Sequence, residues 1–293
     1  MENGRLFVNN FPSTELPALV ELYQVINKGK NSLAVEIPKD GFMAQTNPSK
    51  GVKGTYFIEG KLLQNGYFTL QPGDTLRFSA SISAHDSENS SLVLDACAEK
   101  VKRESLVASW MDNLVLETPD PVINQMFAFS KIRACESIYE TQGGPMHGPG
   151  GESYYAAIWA NDQAEYINPY FPYTGYEYGN VSALNSFKHF ARFINDEWKP
   201  IPSSIVAEGL DIWAGVGDRG DAAMIAYGAS RYVLTRASRE EAEELWPLIS
   251  WCLEYCHRKL NEGGVVASDT DELENRFPSG DANLCTSSLI MMP

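Results

Sequence analysis

The rhythm of apolar and polar positions changes near residue 115. Before it, short alternating or continuous apolar runs are broken by turn residues. Residues 32–38, 54–60 and 75–83 read as strands, and 64–66, 71–74 and 86–91 read as turns or loops. Several short strands at this spacing predict a β-sandwich over residues 1–115.

Beyond residue 115 the apolar positions recur with a helical period. One helix is expected over 119–140, with Pro121 in its first turn and Ile123, Met126, Phe127 and Ile132 on one stripe. Others are expected over 180–195, 218–234 and 238–261, and a last one begins near Asp281. The 238–261 helix has Ser238 as N-cap, four glutamates early, and Gly263-Gly264 as terminator. Pro247 lies inside it and predicts a kink or a break. The connections are unequal. Those at 141–161, 198–217 and 261–280 are long and rich in Gly, aromatic and acidic residues, whereas those at 171–178 and 235–238 are short. Helical hairpins with long loops on one side suit a site to which each long loop contributes. The expected fold class is therefore multidomain α and β, with a helical domain over 116–293.

Charge narrows the partners. Lys plus Arg is 23 and Asp plus Glu is 38 in 293 residues, a net charge of −15. Nucleic acid and anionic membrane both require a basic surface, so neither is expected as a partner. No stretch of about 18 apolar residues predicts a membrane span. The N-terminal residues lack the charged and apolar regions of a secretory leader; this fits a cytoplasmic chain, and a longer parent remains compatible with export. The five cysteines are odd in number and irregular in spacing, so a disulfide framework is not expected. Cys252 and Cys256 lie one helical turn apart and read as core residues rather than metal ligands. No metal or cofactor is expected. The Gly-rich stretch after Gln142 lacks the Lys-Ser/Thr of a phosphate-binding loop.

Candidate chemistry lies in the three long loops. Residues 267–281 concentrate Asp269, Asp271, Glu272, Glu274 and Asp281 beside Arg276, Phe277 and Pro278. This is either a solvated acidic loop with an incidental ion pair or an ordered loop whose carboxylates have shifted pKa values. In the first loop, Trp159 and Asp162 offer an aromatic face and a carboxylate, which suit a sugar's C–H face and hydroxyls. They equally suit a core Trp and an N-cap Asp. The second loop carries Glu208, Asp211, Trp213, Asp218, Arg219 and Asp221 ahead of a helix. Asp218 and Asp221 are alternatively helix caps.

Together these residues resemble the six-hairpin glycosidases: glucoamylases, trehalases, debranching-type glucosidases, rhamnosidases and maltose-type phosphorylases. Trp159-Ala-Asn-Asp162 resembles the Trp-x-Arg-Asp motif of their first loop, with Asn161 in the place of Arg. Gly215-Val-Gly-Asp218-Arg219-Gly-Asp221 resembles the second loop and the start of the fourth helix. Thr270-Asp271-Glu272-Leu273-Glu274-Asn275 resembles the Pro-Asp-Glu-Tyr-His-Glu-Asn motif of the phosphorylase branch. The resemblance covers about residues 115–293. It implies an (α/α)6 toroid preceded by a β-sandwich. It places the general acid on Glu272, with Glu274 as alternate, and a sugar pocket on Trp159, Asp162, Glu208, Trp213, Asp218 and Arg219.

The activity implied is an inverting glycoside hydrolase acting on an oligosaccharide. The alternatives are an inverting phosphorylase and a noncatalytic carbohydrate-binding or interaction protein. Inversion needs two carboxyl groups about 6.5–9.5 Å apart, with room for water between them. In the family the base comes from the last loop of the toroid. About 175 residues at roughly 25–30 per helix and loop supply about half of twelve helices. The chain is thus expected to form a half toroid without the base. Its exposed apolar faces would favour homo-oligomerisation or a missing C-terminal half as partner.

Overall fold

The computed structural model describes residues 4–49, 54–86, 91–141, 143–148, 157–206, 211–213 and 215–291. The chain separates into two units, Met1–Ser109 and Trp110–Pro293.

In the first unit, strands β1 (Gly4–Pro12), β2 (Ala18–Asn27), β7 (Thr75–His85), β5 (Phe57–Leu62) and β4 (Phe42–Gln45) form an antiparallel sheet in that order. A separate antiparallel pair joins β3 (Leu33–Ile37) and β6 (Gly66–Leu70). The three expected strands are present as β3, β5 and β7, the second of them shifted toward its C-terminal end. Two longer strands, β1 and β2, add to them. The central strand β7 alternates as its period demands, burying Ser79, Ser81, Ser83 and His85. Helix α1 (Ala96–Asp112) closes this part of the chain, where sequence reading expected only strands. Ala96 packs with Phe11 and Val20 in a small apolar cluster.

The second unit is helical. It contains α2 (Pro121–Glu136), α3 (Asn168–Thr174), α4 (Glu177–Ala191), α5 (Asp221–Arg236), α6 (Arg239–Arg258) and α7 (Leu284–Ile290). The first expected helix is shorter than its apolar stripe suggests. It ends at Glu136, and the next residues form a hairpin of β8 (Ile138–Thr141) with β9 (Gly144–His147). Ser238 caps α6 as expected, its hydroxyl accepting from the Glu241 amide. The helix runs through Pro247 without interruption. Pro247 lies on the exposed face, where water can take the hydrogen bond that the ring denies. The opposite face buries Leu245, Leu248, Ile249, Cys252, Tyr255 and Cys256 at helical spacing. Both cysteines are therefore core residues on one face of α6.

Helix α5 organises this unit. It packs against α3, α6 and α7, while α4 packs against α3 and α6. Its first ten residues are almost wholly buried, and most are small: Ala222, Ala223, Ala226, Gly228 and Ala229. Gly228 permits the closest approach. A Cβ there would lie 2.1 Å from the carbonyl oxygen of Ala164. Helices α4 and α6 follow short turns at Gly175-Tyr176 and Ala237-Ser238. Helices α3, α5 and α7 each follow a long connection, so the three long loops lie at their N-terminal ends.

Candidate active site

Two of the loops meet in a small antiparallel sheet. β10 (Ile158–Trp159) pairs with β11 (Ser204–Val206), which pairs with β12 (Asp211–Trp213). The register sets Trp159, Ser204 and Trp213 in one row across it. Trp213 is placed by its backbone alone, and Glu208 lies outside the described residues. Immediately after β10 the chain enters a π-helical turn, Asp162–Ile167, that runs directly into α3. Such wide turns recur at functional sites. Asn161 sits at its start and makes no capping hydrogen bond, so Asp162 is not an N-cap.

Arg219 ties the three loops together. It is 1% exposed and forms charge-assisted hydrogen bonds in two directions. Its Nη2 donates to Asp221 Oδ1 at 2.8 Å and to Asn161 Oδ1 at 3.3 Å. Its Nη1 donates to Glu274 Oε1 at 2.9 Å. The guanidinium carbon also lies 5.7 Å from the centre of the Trp159 ring, within cation–π range. Asp221 is buried on the first turn of α5 and takes a further bond from Ser203 Oγ at 2.7 Å. Burial raises the Asp221 pKa even though Arg219 opposes the shift.

Asp218 faces a different set of partners. Its Oδ2 accepts from the Tyr255 hydroxyl at 2.6 Å, and its Oδ1 accepts from the Gly220 amide at 2.8 Å. Its amide donates to Asp269 Oδ2, and its carbonyl accepts from the amides of Asp269 and Thr270. Asp218 is thus a buried latch between the start of α5 and the acidic loop. Two glycines allow that closeness. Gly217 and Gly220 have φ of +81° and +88°, and a Cβ on either would strike Asp269 or Thr286.

The acidic loop is ordered by these bonds, and Arg276 is exposed at its edge. Glu274 and Asn275 adopt positive φ of 59° and 62°, which turns the Glu274 carboxylate back onto Arg219. Glu272 is half-buried and sits within electrostatic reach of Asp162 and Glu165. Burial raises the Asp162 pKa, with Arg219 opposing it and Glu272 and Glu274 adding to it.

Glu165 lies beside these groups, and the sequence motifs do not single it out. Burial first, then the charge of Glu272, pushes its pKa up to about 7. Its Oε1 is buried with no hydrogen-bond partner among the described residues. An acid three positions after Asp162, between a Trp and a Pro, was the available signal. The raised pKa has a consequence for stability. A carboxyl whose folded pKa is raised stabilises below the ordinary carboxylate range and loses that contribution as pH climbs to about 7. Glu165→Gln is expected to match the parent near pH 4 and to be the more stable protein near pH 8. Denaturant melts at both pH values check this, and equal stability at pH 8 would contradict the shift.

No family model and no curated protein sequence matches the chain. Solved structures do. A protein described as a kojibiose phosphorylase from the human microbiome matches with a TM-score of 0.59 at 8% identity, over 85% of this chain and 42% of its own. A family 105 glycoside hydrolase of C. acetobutylicum matches at 10% identity and a TM-score of 0.43, over 57% of this chain and 49% of its own. A bacterial glucoamylase solved with acarbose matches at 9% identity and a TM-score of 0.45, over 93% and 48%. The chain therefore shares the fold of the matched part of the phosphorylase structure, which is of six-hairpin glycosidase type. The chain spans less than half the length of each of these structures.

Proposed function

We propose that this chain forms the sugar-binding half of a carbohydrate-active enzyme, an inverting glycoside hydrolase acting on an oligosaccharide. The observation that carries the reading is the convergence of Trp159, Asp162, Glu272 and Glu274 around one buried Arg219. In this reading Glu272 is the general acid. Glu274 is already paired to Arg219, whereas Glu272 is half-buried and makes no such ion pair among the described residues. Trp159 and Asp162 take the sugar, as do Glu208 and Trp213. Asp218 and Arg219 act from behind: Asp218 holds the loop and Arg219 sets the charge beside Asp162. Arg219 also offers a physical account of Asn161. The cation that the relatives' motif carries at this position reaches the same place from the second loop.

The catalytic base is assigned to residues outside this chain, in the other half of an (α/α)6 toroid preceded by a β-sandwich. The exposed Val122, Ile123, Met126 and Phe129 on α2 support that half-toroid, since an apolar helix face of this kind is normally covered. Calorimetric titration of the chain with neutral gluco-oligosaccharides tests the reading. Binding is expected, and Trp159→Ala is expected to weaken it at least about tenfold through loss of the stacking face. Absence of binding, or binding indifferent to Trp159, would remove the support for a sugar site here.

A further inference from the structure

The charges around Glu165 are unbalanced. Asp162 and Glu165 come from the π-helical turn, Asp221 from α5, and Glu272 and Glu274 from the acidic loop. Each interacts electrostatically with others of the set. Against these five carboxyl groups, Arg219 supplies a single cation, and both its terminal nitrogens are already committed, to Asp221 and Asn161 on one side and Glu274 on the other. The nearby Lys259 lies by Asp218, at 3.8 Å. With Glu165 neutral the set still carries an excess of negative charge.

Two buried polar atoms in this set have no partner among the described residues. One is an acceptor, Glu165 Oε1, and the other is a donor, Arg219 Nε, on a side chain that is 1% exposed. A hydroxyl both donates and accepts, so it can serve both kinds of group. A carboxylate or phosphate can only accept, and it brings a charge of the sign already in excess.

Resting on the sugar-binding reading above, we propose that this site selects neutral or positively charged sugar units and rejects acidic ones, uronic acids and sugar phosphates alike. Glu165 sets the strength of the discrimination. The groups facing it are Asp162 and Tyr166 on its own turn, Arg219 just before α5, Asp221 on α5, Glu272 on the loop and Cys285 on α7. Tyr166 and Cys285 are pushed upward and stay uncharged near neutrality, Cys285 to about 11. Ionisation of Glu165 therefore adds one uncompensated negative charge as pH rises through neutrality, and rejection of anions becomes stricter.

The test is calorimetric titration of the full chain with three disaccharides that differ only in one terminal unit: glucose, glucosamine or glucuronate. At about pH 6, where the amine is protonated, the glucuronate compound is expected to bind at least about tenfold more weakly than the glucose compound. The glucosamine compound should bind as tightly as the glucose compound or more tightly. The gap between glucose and glucuronate should widen at about pH 8 in the parent and stay constant in Glu165→Gln. It should narrow in about 0.5 M salt, where screening shortens the reach of charge. Equal or tighter binding of glucuronate overturns the proposal while leaving the sugar site intact. Failure of all three compounds to bind overturns the sugar-binding reading itself, and this proposal with it.

Discussion

Arg219→Met is expected to destabilise the helical unit by about 3–5 kcal/mol, the usual cost of removing one partner from a buried ion pair. Methionine fills much of the volume, so the loss is electrostatic rather than a cavity. Asp221 stays buried at 1% exposure and keeps only the Ser203 hydroxyl on its side chain. Glu274 loses the bond that holds its positive-φ turn. Arg219→Lys should recover only part of the loss, because a point charge cannot span Asp221, Asn161 and Glu274 as a planar fork does. Urea denaturation measures all of this. The companion variant is Arg219→Met with Asp221→Leu, which removes both charges. Burial already outweighs the Arg219 attraction in setting the Asp221 pKa. The double variant should therefore regain most of the lost stability. A single variant as stable as the parent would mean that Arg219 does not hold the loops together.

The same residue shows where sequence reading reaches and where it stops. The alternation of long and short connections is visible in the sequence, and in the structure the long ones precede α3, α5 and α7. Trp159, Asp162, Glu272 and Glu274 follow from their types and from the motifs they resemble. That Arg219 is the shared centre does not follow, because its partners are 58 and 55 residues away in sequence. Glu165 is hidden for another reason. A π-helical turn shifts the side-chain spacing, so an α-helical count assigns it no face. Helix α1 carries no apolar stripe: Ala96, Glu99 and Trp110 are its buried positions. Strand β2 buries Val20, Val25 and Asn27, so its parity changes within the strand and alternation fails as a signal. Where each element buries a clean face, as α6 does, sequence alone defines it closely.

Glu272→Gln and Glu274→Gln are expected to fail in opposite ways, and that contrast decides which of them is the acid. Glu272 has no hydrogen bond that its replacement would break in the described structure, so Glu272→Gln should melt with the parent. A glutamine cannot pass a proton to a leaving oxygen, so in an enzyme completed by the half that carries the base, oligosaccharide hydrolysis should fall by about 10²–10⁴. Glu274→Gln keeps an oxygen for Arg219 but loses the charge. It should cost about 1–3 kcal/mol of stability, as a weakened charged hydrogen bond does, and change turnover only through the position of its loop. The two readouts separate because Glu274 is bonded to a buried cation and Glu272 is not. Loss of turnover in Glu274→Gln with unchanged stability, together with an active Glu272→Gln, would move the acid to Glu274. In that event Arg219 would have to release Glu274 when sugar binds.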